Sequence, residues 1–145
     1  MATYNKFQDF VEQLAKGKHD FSAHTFKVAL TNTLPVNTQT SFDAVTNHAA
    51  PAAANGYAAG GSATTVTTSE ASGTMTISGT QVVFTATPGG IGPFRYAVLY
   101  NDSATSPADA LIAWWDYGSS ITLNDTETFT VKFNNASPGT IMTVA

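Results

Sequence analysis

Gly89, Gly90 and Gly92 stand within four positions in the stretch GGIGP, a density that suits a loop whose bare backbone wraps a phosphate. A dinucleotide site needs its Gly-x-Gly-x-x-Gly to follow a strand and open a helix, so that the pyrophosphate meets the helix N-terminus. Here the glycines follow the strand-like QVVFTAT and open a second strand-like run, PFRYAVLYND. Pro93 lacks an amide donor, and no Gly-Lys-Ser/Thr follows. The stretch reads as a tight turn between strands.

The other residues with chemical potential are scattered. His19 and His24 are five apart, a spacing that does not place both on one helix face as two zinc ligands require, and His48 stands alone in an Ala-rich segment. No serine occupies a Gly-x-Ser-x-Gly elbow. Asp102, Asp109, Asp116, Asp125 and Glu127 lie near expected strand ends and could ligate calcium. No Asp-x-Asp-x-Asp-Gly loop is present, so turn and capping duty is expected of them. There are no cysteines, which excludes disulfides, thiolate nucleophiles and cysteine metal sites. The expectation is a non-enzyme with no cofactor and no metal.

Composition points the same way. Of 145 residues 43% are hydrophobic but only 11% are charged, against about a quarter in ordinary globular proteins. Hydroxyl and amide side chains fill the difference. Such a surface suits packing against other protein, where each buried Lys or Glu needs a partner. Six Lys and Arg, scattered, against ten Asp and Glu give a net charge of −4. Nucleic acid is therefore not an expected partner, because binding it takes clustered cations. The first residues, MATYNKFQDFVEQLAKG, lack the apolar core of a signal peptide, and no run reaches the ~20 apolar residues that span a membrane. A soluble chain made in the cytoplasm, with no membrane partner, is expected.

The elements that would position these residues are mainly strands. Residues 1–17 carry Tyr4, Phe7, Val11 and Leu14 at helical spacing, with Phe10 widening the stripe and Gly17 as the stop, which predicts an amphipathic N-terminal helix. HTFKVALTN then alternates with period two. Residues 33–62 form a long excursion, in which TQTSFDAVTNHAA could hold a short helix capped by Thr40 with Asp43 as the capping-box acid. From 62 to 145 strand-like runs follow one another, punctuated by Gly, Pro, Asn and Asp. The expected fold is mainly β: one antiparallel β-sandwich or jelly-roll-like domain of seven or eight strands, with the helix at its N-terminus.

The aromatic residues are the strongest physical signal. In ALIAWWDYG adjacent side chains face opposite ways, so Trp114 and Trp115 cannot share one environment. In PFRYAVLYN, Phe94, Tyr96, Val98 and Tyr100 fall on one face and Ala97 and Leu99 on the other, so both faces need a cover. One cover is the opposing sheet; the other is the N-terminal helix or a neighbouring subunit. Phe7, Phe10, Tyr57, Trp114, Trp115 and Tyr117 are the candidate interface residues, and Trp114 or Trp115 with Tyr117 could equally stack on sugar rings.

Four stretches carry a wider likeness: NKFQDFVEQLAKGKHDFSAHTFKVALTNTLP, NGYAAGG, IGPFRYAVLYND and LIAWWDYGSSITLNDTETFTVKF. Together, in this order and over nearly the whole chain, they resemble a group of small virion structural proteins of tailed bacteriophages. NDTETF departs from the acidic-Gly turn expected in such relatives, which bears on the local turn type. The resemblance implies a capsid decoration (cement) protein, made in the host cytoplasm and carried in the virion. Its partner would be the major capsid protein of the same phage, and it would act as a homo-oligomer, a dimer or trimer. The alternative is a tail or tail-fibre component with a carbohydrate-binding role. The resemblance supplies no catalytic residues.

Overall fold

The computed structural model describes residues 2–145. Ten strands and one short helix follow in the order β1 (Thr3–Lys6), α1 (Asp9–Ala15), β2 (Phe26–Thr31), β3 (Ser62–Thr64), β4 (Val66–Ala71), β5 (Thr74–Gly79), β6 (Val82–Thr85), β7 (Ile91–Thr105), β8 (Ala108–Leu123), β9 (Thr128–Val131) and β10 (Gly139–Val144). The class is mainly β, with antiparallel pairing throughout and the helix near the N-terminus, as expected. No helix among the described residues is long and apolar enough to cross a membrane.

The long hairpin of β7 and β8 is the spine of a five-stranded sheet ordered β1-β8-β7-β2-β3. A three-stranded sheet, β10-β5-β4, and a two-stranded one, β6-β9, stand opposite. Between them lies the main core. Phe26, Val28 and Leu30 of β2, Leu99 of β7 and Ala113 of β8 meet Ile77, Val82, Phe84, Val131 and Ile141 from the smaller sheets. Period-two alternation along β2 sends these three side chains inward and Ala29 outward. The chain passes between layers at a corner: β3 belongs to the large sheet and β4, after Thr65 alone, to the three-stranded one.

The large sheet is buried on its outer face too. There Tyr96, Val98 and Tyr100 of β7, Leu111 and Trp114 of β8, and Ala29 form a second cluster with Phe7 and Phe42. The cover is neither the helix nor a neighbour. It is the excursion between β2 and β3, which lies back across the sheet. Phe42 stacks on Tyr100 at 4.3 Å, Asn37 accepts a hydrogen bond from Trp114 Nε1 at 2.9 Å, and Phe42 N–H donates to Asp109 O at 2.9 Å. Helix α1 packs on the main core instead, through Phe10 and Leu14.

Several local expectations are corrected. Residues 3–6 are strand, not the first turn of a helix, and the helix begins at Asp9. Tyr4 and Phe7 lie on opposite sides of the sheet, Tyr4 against Trp115 and Phe7 in the outer cluster. Pairing with β8 supplies hydrogen bonds that an uncapped turn would lack; the helix start at Gln8 has no side-chain cap. No helix forms after Thr40. Ser41 bridges to Ala110, and Asp43 accepts the N–H groups of Val45 and Thr46, so the aspartate heads a turn. Phe94 and Tyr96 do not share a face, because the β7–β8 register shifts between them and puts Phe94 in the main core. The NDTETF turn keeps a left-handed residue without glycine: Thr126 has φ 69° and Glu127 N–H bonds Asn124 O.

Candidate functional site: a furrow between two strand edges

The glycine stretch has no phosphate geometry. It carries the chain from β6, paired with β9, to β7, paired with β8, so it is a crossover between sheets and not a hairpin turn. Gly90 has φ +75° and runs so close to β8 that an added Cβ would lie 2.5 Å from Leu123 O. The backbone needs glycine there for packing.

His19 and His24 do converge, through an irregular turn and around a protein amide. Asn101, fully buried, places its Nδ2 3.3 Å from His19 Nδ1 and 2.9 Å from His24 Nδ1, and donates to Lys18 O at 3.1 Å. Three of the five carboxylates are engaged as caps or pairs. Asp102 meets Lys27 at 2.9 Å, Asp116 takes Arg95 in a bidentate pair, and Glu127 accepts from Asn124 N–H. Among the described residues no three His, Cys, Asp or Glu side chains gather as a metal site.

Burial lowers His19 from its ordinary 6.5 to about 4, with the neighbouring His24 adding to the effect, and burial lowers His48 as well. A histidine kept neutral in the fold and free to charge when unfolded contributes its full stability above pH ~6.5 and loses it as the pH falls toward the folded value. Between about pH 7 and 4.5, His19 alone should remove about 2–3 kcal/mol. Asp43 and Asp116, held low by hydrogen bonds from Thr46 and Arg95, add their losses only below the ordinary carboxylate range. A urea midpoint should therefore fall across that window and flatten in His19→Asn. A midpoint constant from pH 7 to 4.5 contradicts this.

The six candidate interface residues separate into two groups. Phe7, Phe10, Tyr57 and Trp114 are at most 7% exposed and belong to the two cores. They hold the fold together and present no surface to a partner. Tyr57 does so through its hydroxyl: beyond Val28, where β3 ends its pairing with β2, the Leu30 N–H donates to Tyr57 Oη at 3.0 Å. The phenol stands where the next strand would be, and burial raises it to about 12. Trp115 and Tyr117 remain, and both line an open depression.

That depression is part of a furrow along one side of the sandwich. The large sheet ends there in β1 and the three-stranded sheet ends in β10, and these two edges are not bonded to each other. Trp115 sits at one end. Tyr4 meets it edge-on at 5.7 Å and Phe133 is tilted beside it at 5.4 Å, while Tyr117 meets Phe129 at 5.6 Å. The hollow holding Arg95, Trp115 and Tyr117 shares Ala2, Trp115 and Lys132 with the next one, which passes Asn134 and Asn135. That in turn shares Tyr4 and Met142 with a third, floored by Phe10, Val11 and Leu14. Lys6 and Lys132 flank the furrow, and neither makes an ion pair among the described residues. Sequence reasoning missed both lysines. The available signal was lysine on short strands beside aromatic residues, a common dress for sheet edges.

Compared with family models, curated proteins and solved structures, the chain finds no match in any of the three.

Proposed function

We propose that the chain is a structural protein of a tailed-phage particle, a decoration protein that binds the major capsid protein in many copies and stabilises the head. The sequence resemblance supplies the particle. The observation that carries a contact role is the covering segment between β2 and β3. It is fastened to the sheet by Asn37, Ser41 and Phe42, yet it turns Leu34, Val36 and Val45 outward at 56%, 52% and 81% exposure. Ordered backbone that displays aliphatic side chains to water is what a preformed docking face requires. Many copies on a repeating lattice need only modest affinity each.

The test is sedimentation of the purified protein with expanded empty capsids of its phage. Wild type should pellet with them, with little dependence on salt because few charges are involved. Each aliphatic side chain desolvated at a contact is worth about 1.5–3 kcal/mol. Replacing Leu34, Val36 and Val45 by serine should therefore cut binding at least about tenfold with the melting temperature unchanged. Equal binding by the triple variant would remove this face from the proposal. Protein found on tails and absent from heads would favour the fibre reading, for which Trp115 and Tyr117 beside Asn134 and Asn135 supply sugar-binding side chains.

A further inference from the structure

We propose that the furrow between β1 and β10 binds an extended acidic segment of a partner polypeptide, which adds a strand between the two edges. The inference is independent of where in a particle, or outside one, the protein acts.

Backbone and side chains argue for the same occupant. Among the described residues β1 is bonded on one side only, to β8, and β10 on one side only, to β5. Each therefore carries a row of unpaired N–H and C=O groups, which an extended chain satisfies and a compact ligand does not. Four residues of β1 and six of β10 define the length, so the fitting segment is about five or six residues at ~3.3 Å each. A strand also presents alternate side chains to alternate sides, and the hollows to either side of Trp115 offer places for them.

Charge selects the chemistry. The chain has ten Asp and Glu and only six Lys and Arg. Lys6, Arg95 and Lys132 nevertheless line the three hollows around β1 and β10, and no Asp or Glu side chain lines them. An acid, Asp20, enters only at the far end beyond Leu14. Arg95 is held by Asp116, which leaves the two lysines as free positive charge at either end. β1 pairs Lys6 with Ala113 and Tyr4 with Trp115, both partners being on the inner face, so this lysine stands on the furrow side of its strand. A second copy of the chain fits less well. Its exposed edge strand β4 offers one carboxylate, Glu70, and that already accepts the Gly73 N–H at 2.7 Å.

The probe is a capped hexapeptide alternating glutamate and valine, with the lysine–valine peptide as its counterpart, titrated into the full chain and followed by backbone amide shifts and hydrogen exchange. The glutamate peptide should bind at least about tenfold more tightly, weaken as salt rises, and protect amides within Gly139–Val144 and Thr3–Lys6. Lys6→Glu with Lys132→Glu, both exposed positions, should reverse the preference; Lys132→Gln alone should weaken glutamate-peptide binding several-fold. Melting curves of the variants confirm that they fold. Equal binding of the two peptides, or binding without protection of these amides, overturns the proposal. So does protection of the same amides in the free protein through self-association, which would make a second copy the occupant. Binding of a neutral oligosaccharide there, with neither peptide bound, overturns it as well.

Discussion

Trp114→Ala should lower the unfolding free energy by about 3–5 kcal/mol, and Trp115→Ala by clearly less. The indole of Trp114 is 7% exposed, on the outer face of the large sheet, edge-on to Tyr96 at 5.8 Å. Its removal leaves a cavity under the segment between β2 and β3 and also strips the Asn37 side chain of the hydrogen bond from Nε1 that ties it to the sheet. The loss should thus appear twice, in the urea midpoint and as faster amide exchange over residues 33–50. Trp115 faces the other way, toward the layer between sheets, but stands at the open furrow and is half buried. Truncating it removes contacts with Tyr4 and Phe133 while water already reaches the site. Equal, large losses for the two would show that the furrow is closed in solution.

Gly61→Ala should be as damaging without removing any atom. Gly61 has φ +83°, and a Cβ there would lie 2.0 Å from Val28 O, an overlap with backbone that no rotamer change relieves. Left-handed strain and overpacking are each worth about 1–3 kcal/mol, so a loss of about 3 kcal/mol or more is expected. The place matters because Gly61 leads into β3, whose pairing with β2 closes the edge of the large sheet. The substitution should free β3 as well as lower the midpoint. Gly73→Ala is the control: Gly73 has a similar φ of +80°, but nothing lies near its Cβ. It should cost only the strain. A Gly61 variant no less stable than the Gly73 variant would show that β2 and β3 can separate at little cost.

The alternation of β2 and the opposite orientation of the two tryptophans were legible in the sequence because a strand's period is short and local. The bulge between Phe94 and Tyr96 was not, since it depends on how β8 opposes β7 between Asp116 and Ile121. The N-terminal segment misled for a related reason. Tyr4 and Phe7 fit a helical stripe, and only the partner strand reveals that they face apart. The excursion gave no sign that it covers the sheet because its anchors, Asn37, Ser41 and Phe42, are single residues without period. The furrow is a product of strand order, which edges end up bare and adjacent, and no window of sequence contains that.

The pairing of β1 with β8 also sets a timetable. Tyr4 lies opposite Trp115, so β1 is bound by a strand made much later. At about 5–20 residues per second, the N-terminal segment waits about 5–20 s on the ribosome before its partner exists. During that interval Phe7 and Phe10, both fully buried at the end, have no core to enter. Helix α1 is too short to hold itself together in water, so the segment stays open until the β7–β8 hairpin arrives. The β1 edge of the large sheet is therefore laid only after β8, and a nascent chain halted before residue 113 carries an uncommitted aromatic segment at residues 4–10 that a chaperone could hold or an aggregate could capture.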